Sequence, residues 1–196
     1  MTTANFIDHL KTFEGNYPYF YLDSERNVTI GVGIMFRNSA DAISSGIRFT
    51  KKNDNKPATA AEIISDFNAV KRSGVHSLSR YAEIAKLRAD TSDLDRIFSD
   101  RLQEATQRAK RFYDLGQVVE NSTYPTFDKL PDNIRFAVID LSFNLGNKIN
   151  KYQKLRQHLK KGEWSEASNE SRRFNVQGSR NSKIAQWIAW NIEVKY

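Results

Sequence analysis

The segment from Pro131 to Gly146 constrains the fold more than any other part of the chain. Ile134, Ala137, Val138, Leu141 and Leu145 recur at helical spacing, and Phe136, Ile139 and Phe143 make the other faces apolar as well. A helix that is apolar on every side cannot lie on a surface, so other elements must enclose it. Pro131 suits its first turn and Gly146 its end. The fold is therefore expected to be built around this helix as its buried core.

Helical patterns surround it in sequence. Thr59-Ala60-Ala61-Glu62 has capping-box spacing, followed by Ile63, Phe67 and Val70 at helical intervals. Ser92 can cap a longer helix whose apolar stripe runs through Leu94, Ile97, Phe98, Leu102, Ala105 and Ala109. Amphipathic stretches follow over Tyr152 to Leu159, Trp164 to Phe174 and Ile184 to Ile192. Near the start, Thr2 or Thr3 can cap a helix carrying Phe6, Ile7, Leu10 and Phe13, which should stop near Gly15 and Pro18. The pattern then changes. Tyr19 and Tyr21, the polar turn Asp23-Ser24-Glu25-Arg26-Asn27 and the run Val28-Thr29-Ile30-Gly31-Val32-Gly33 predict a small antiparallel hairpin or sheet between Tyr17 and Phe36. The stretch Arg37 to Ala58 is polar, and Lys51-Lys52-Asn53-Asp54-Asn55-Lys56-Pro57 within it reads as loop. The expected class is α+β and mostly helical, with strands confined to the first 40 residues. One domain is expected over 1–196, with an N-terminal helix and β lobe over 1–60 and a larger helical lobe over 61–196.

Cysteine is absent, which excludes disulfides, thiolate metal sites and thiol nucleophiles, and His9, His76 and His158 are far apart in sequence. Chemistry without metal or cofactor is expected. No apolar run reaches the roughly 18 residues that a membrane span requires, and Met1 to Leu10 lacks the basic start and apolar core of a signal peptide. Neither membrane insertion nor a signal peptide is expected. The net charge of +7 is concentrated in residues 147–196, where 11 Lys and Arg face 4 Asp and Glu. Such a field attracts polyanions without choosing among nucleic acid, anionic lipid and bacterial wall. No helix-turn-helix, zinc-finger or RNA-recognition signature accompanies it, so a nucleic-acid partner is not expected.

Hydrolysis of a glycosidic bond needs a carboxylic acid at the leaving oxygen and, in an inverting enzyme, a carboxylate that activates water across the sugar ring. Glu14 lies at a helix end ahead of a glycine, and Asp23 lies at the hairpin turn. A chain that runs out along one strand and back along the next can return Asp23 and Thr29 toward Glu14. Pattern alone leaves Glu14 open between a catalytic acid and a solvated residue at a helix end.

Phe13-Glu14-Gly15, Tyr21-Leu22-Asp23-Ser24-Glu25 and Thr29-Ile30-Gly31-Val32-Gly33 resemble the signature of phage lysozymes of glycoside hydrolase family 24, with Glu, Asp and Thr separated by eight and then five residues. A second match follows in the expected order. Leu130-Pro131 and Ala137 through Gly146 resemble the central helix of that family, which ends in Phe-Asn-x-Gly, and Gly162-Glu163-Trp164-Ser165-Glu166-Ala167 resembles part of its helical subdomain. The resemblance implies a lysozyme-like fold and a muramidase that cleaves the β-1,4 bond between N-acetylmuramic acid and N-acetylglucosamine in peptidoglycan.

It also implies roles for individual residues. Glu14 is the general acid, which must keep its proton near neutral pH through partial burial against neighbours such as Phe13 and Phe143. Asp23 is the base for water or the stabiliser of charge on the sugar, and Thr29 holds the attacking water. Phe143 and Asn144 line the cleft, or Phe143 belongs to the core. Tyr21, with Tyr17 and Tyr19, is available to stack on sugars, whereas Trp187 and Trp190 read mainly as core. Arg180 occupies a place similar to a family arginine near the acid, against the alternative of a surface arginine. The chain departs from the family in carrying Ile34-Met35 where a polar residue, frequently histidine, often follows the strand. Ser73 to Asp90 and Gly116 to Lys129 are longer than in the shortest phage enzymes, extra chain that could serve an inhibitor or immunity partner.

The competing readings are a lytic transglycosylase, a non-catalytic wall-binding module and a nucleic-acid-binding protein. A monomer is expected. It would be made in the cytoplasm and act in the periplasm or cell wall, reached through a holin as a phage endolysin or through dedicated secretion as an antibacterial effector.

Overall fold

In the computed structural model, described for residues 2–115, 119–120, 122–172 and 178–190, the chain is α+β and mostly helical. The first helix, α1 (Thr3–Glu14), is started by the Thr2 hydroxyl, which accepts from the Asn5 N–H at 3.3 Å. Strands β1 (Tyr17–Leu22), β2 (Val28–Gly31) and β3 (Ile34–Phe36) form an antiparallel sheet in that order. The central strand β2 is buried along its whole length, so the alternation expected of a half-exposed strand is absent from it.

Two features beyond residue 36 differ from expectation. The polar stretch over 37–58 contains α2 (Ser39–Ser44) and β4 (Phe49–Lys51). Strand β4 pairs antiparallel with β5 (Leu87–Ala89), Phe49 opposite Ala89, so strands are not confined to the first 40 residues. Between them lie α3 (Ala60–Ser73) and α4 (Leu78–Ile84). Helix α3 begins with the expected capping box: the Thr59 N–H donates to Glu62 Oε2 at 2.8 Å and the Glu62 N–H to Thr59 Oγ1 at 3.3 Å. Helix α5 (Thr91–Asp114) starts one residue before Ser92, and its capping acceptor is Asp90, which receives the Ser92 and Asp93 N–H groups.

The chain divides into two compact units, Asp8–Ser99 and Met1–Ile7 with Asp100–Tyr196. In the sheet-bearing unit, Phe20 packs against Phe36, Phe49 and Phe67, with the Phe20 and Phe49 ring centroids 5.2 Å apart. That cluster joins the three-stranded sheet to β4 and to α3 through one apolar core. The exposed side of the unit carries the Arg48–Asp93 pair, in which both the backbone N–H and Nε of Arg48 donate to Asp93 Oδ2 at 2.9 Å.

The helical unit is organised by α6 (Asp132–Leu145), with α7 (Gln153–Lys161), α8 (Trp164–Glu170) and α9 (Gly178–Ala189). Helix α6 is introduced by Pro131 and closed by Gly146 at φ 55°, as expected. Ile134, Ala137, Val138 and Leu141 are fully buried, which at about 1.5–3 kcal/mol per large aliphatic side chain makes this helix the main apolar anchor of the unit. Phe6 stacks on Phe136 at 4.6 Å and meets Trp187 edge-on at 6.1 Å. Two polar residues of α6, Asp140 and Ser142, are as buried as its aliphatic ones. Trp187 is core, whereas Trp190 is 68% exposed. The expected helix ends at Phe174 and Ile192 lie outside the described residues; within the described ones α8 closes at Glu170 and α9 spans Gly178–Ala189. Among the described residues no helix is long and apolar enough to cross a membrane.

Candidate active site

Glu14 ends α1 and is half-buried. The reversal from helix to strand depends on Gly15, whose φ of +74° lies in the left-handed region and whose missing Cβ would fall 2.4 Å from the Tyr17 ring. The Tyr17 ring therefore packs directly against Gly15. Gly33, also at positive φ, lies beneath the acid, since a Cβ there would stand 3.7 Å from Glu14 Oε2.

The β1–β2 register sets the other residues. Tyr21 is directly opposite Thr29, so the two side chains share a face of the sheet. Tyr21 is 8% exposed, which excludes it as an open sugar-stacking platform. Its ring meets Tyr17 edge-on at 5.5 Å and its hydroxyl is hydrogen-bonded to the Gly33 backbone. Burial, then the negative charges of Asp23 and Glu14, push the Tyr21 phenol up to about 12. Tyr21 consequently stays a neutral hydroxyl at physiological pH, within the field of both expected catalytic carboxylates.

Asp23 carries a local structural duty. Its Oδ1 accepts the Glu25 and Asn27 N–H groups at 2.9 and 2.8 Å, and its Oδ2 accepts from the Asn27 side-chain amide at 3.2 Å. These bonds fix the turn over 23–27 in the manner of an Asx turn, and they leave Oδ2 as the carboxylate oxygen with more free acceptor capacity. Thr29 is buried and its Oγ1 donates to the Asn27 carbonyl at 3.1 Å, so its hydroxyl proton points into the turn. The three-residue signature thus lies within one hairpin and its preceding helix, and two of its members also hold that hairpin together.

The remaining expected residues belong to the helical unit. Phe143 is half-buried and lines a groove of about 200 Å³ together with Arg101, Glu104, Ala105, Arg108 and Gly146, while Asn144 is exposed at the end of α6. Arg180 is no surface arginine. It is 4% exposed, and its Nε donates to both carboxylate oxygens of the fully buried Asp140 at 3.1 and 3.3 Å. A guanidinium removed from water in this way needs a carboxylate partner, and a reading based on apolar spacing passed over Asp140 as an interruption of the α6 stripe.

A second cleft, of about 520 Å³, lies in the sheet-bearing unit between β4, α3 and β5. On its wall, Asp66 accepts the Lys86 and Leu87 N–H groups at 2.7 and 3.1 Å, and burial raises its carboxyl above the usual range. Lys52 donates to the Ala82 and Ala85 carbonyls, and burial lowers its ammonium. Asp66 and Lys52 each answer backbone groups left over where α4 gives way to β5, a structural use of charge. Among the described residues no group of three or more His, Asp and Glu is placed to hold a metal ion. No protein-family model matches the chain, and no curated protein is significantly similar to it.

Proposed function

We propose that the chain is a muramidase that hydrolyses the β-1,4 bond between N-acetylmuramic acid and N-acetylglucosamine in bacterial peptidoglycan. The observation that supports this reading is the placement of Glu14 at the end of α1 beside Gly33, with Asp23 in the β1–β2 turn and Thr29 opposite Tyr21 in register. Two carboxylates from separate backbone segments are the minimum that glycoside hydrolysis demands. Glu14 protonates the leaving oxygen. Asp23, through Oδ2, stabilises positive charge on the sugar or orients the attacking water. The sequence resemblance supplies the substrate, and the excess of basic residues over 147–196 supports attraction to an anionic wall.

The test is incubation of the wild-type protein and Glu14→Gln with purified peptidoglycan, followed by mass spectrometry of the fragments. Wild type should release fragments with reducing muramic-acid ends, and Glu14→Gln should lower the rate by at least about 10²-fold. Intact peptidoglycan after prolonged incubation with the wild type would overturn the reading.

One observation favours a second reading, a lytic transglycosylase. Asp23 and Thr29 are both engaged inside the turn, and a transglycosylase needs no water base because the muramyl 6-hydroxyl closes on the anomeric carbon. Anhydro-muramyl products, retained by Asp23→Asn, would identify that chemistry. The route to the wall, by holin release of a phage endolysin or by dedicated secretion of an effector, is a separate part of the proposal.

A further inference from the structure

The cleft of about 520 Å³ between β4, α3 and β5 has room for a small molecule, and its charges are sorted by element. Helix α3 supplies Glu62 and Asp66, one turn apart on the same face. Lys51 ends β4, Lys52 follows it, and Lys86 leads into β5. Part of this charge is already matched. Lys51 Nζ lies 3.5 Å from Glu62 Oε1 and 3.6 Å from Asp54 Oδ2, and Glu83, also in the lining, pairs with Arg80. Three groups keep capacity for a ligand. Asp66 is 3% exposed yet lines the cleft, and the Lys86 and Leu87 N–H groups each occupy one of the two acceptor positions on an oxygen of its carboxylate. Lys52 gives two of its three N–H groups to the Ala82 and Ala85 carbonyls, which fixes its ammonium and leaves the third. The Lys86 side chain is exposed, and its charge, like that of Lys52, is felt at the Asp66 carboxylate. A lone anion entering the cleft meets Asp66, and a lone cation meets Lys52 and Lys86, so each is opposed by part of the lining. A molecule that carries both signs is opposed by neither. Ala85 and Leu87 add apolar surface suited to small side chains.

We infer that this cleft binds a small zwitterion of the amino-acid class, such as a free dipeptide, whose ammonium meets Asp66 and whose carboxylate meets Lys52 and Lys86. The bonds that tie Asp66 and Lys52 to the backbone at the α4–β5 junction set both charges in place before a ligand arrives, so little side-chain freedom is lost on binding. This site is independent of the muramidase reading, since none of Glu14, Asp23 and Thr29 lines the cleft.

The test is calorimetry of the full chain with L-alanyl-L-alanine, N-acetyl-L-alanyl-L-alanine and L-alanyl-L-alaninamide, which carry both charges, the carboxylate alone and the ammonium alone. The zwitterion should bind about tenfold more tightly than either blocked form, the difference expected of one charge-assisted bond. Lys86→Glu retains the backbone N–H that Asp66 accepts and reverses one charge at the carboxylate end. It should weaken binding of the zwitterion about tenfold and strengthen binding of L-alanyl-L-alaninamide severalfold, a gain that misfolding cannot produce. Equal or undetectable binding of the three compounds by the wild type, or an order of preference unchanged in Lys86→Glu, would each overturn the inference. Calorimetry needs no turnover, so its result and that of the peptidoglycan assay stand or fall separately.

Discussion

The two compact units use charge in opposite ways. In the sheet-bearing unit the Arg48–Asp93 pair is open on its arginine side, with side-chain exposures of 66% and 12%, and Glu14 and Asp23 are half-buried. In the helical unit the Arg180–Asp140 pair is sealed, with side-chain exposures of 5% and 0%. An open carboxylate keeps enough hydration to meet a ligand, whereas a sealed one depends on its ion pair to stay charged away from water. Chemistry is therefore expected where the burial is incomplete, and architectural rigidity where it is complete.

The largest effect should come from breaking the sealed pair. Asp140→Asn removes the carboxylate to which the buried Arg180 Nε donates and should destabilise the protein by about 3–5 kcal/mol, measured by urea unfolding. Replacing both partners, Asp140→Leu with Arg180→Met, should recover most of that loss, because neither charge then has to be desolvated. A single variant as stable as wild type would erase the contrast between the units.

The next effect tests the half-buried side. Tyr21→Phe removes a hydroxyl that feels the charges of both Asp23 and Glu14 and should reduce kcat on peptidoglycan about tenfold, equivalent to about 1.4 kcal/mol, with KM unchanged. An equal loss in kcat and in folded fraction would reduce Tyr21 to a packing residue. A smaller loss, of about 1 kcal/mol in stability, is expected from Thr59→Ala, which removes one half of the α3 capping box.

The smallest effect belongs to the open ion pair. Hydrogen bonds from Arg48 hold the Asp93 carboxyl below its ordinary value of 3.8, so its contribution to stability is present above that value and fades as pH falls through the lowered one. The difference in thermal midpoint between wild type and Asp93→Asn should therefore be small at neutral pH, narrow in acid and shrink with added salt. Thermal melts over that pH range provide the measurement.

Local signals in the sequence were readable and distant ones were not. The Thr59–Glu62 capping box, the Pro131 start and the Gly146 end of α6 all depend on residues within a turn or two of one another, and each is found as expected. Strands β4 and β5 have three residues each and pair across 38 positions, too short for a periodic pattern and too distant for a turn signal. Asp140 and Arg180 are 40 positions apart, and neither flanking pattern marks them as partners. Within the candidate site, the spacing of Glu14, Asp23 and Thr29 was visible. The second employment of Asp23 and Thr29 in the turn was not, because the hydrogen bonds that Asp23 accepts from Glu25 and Asn27 follow from backbone geometry rather than residue type alone.

Gly15 carries a consequence for how the chain tolerates change. Its backbone needs the left-handed conformation and its neighbouring Tyr17 ring occupies the space a side chain would enter, so no other residue fits without displacing that aromatic. In a saturation library scored by lytic activity, this position would be depleted as thoroughly as a catalytic one although it touches no substrate. A purely statistical map of intolerance would then draw the active site one residue too wide, and only a folding readout beside the activity readout would restore its edge.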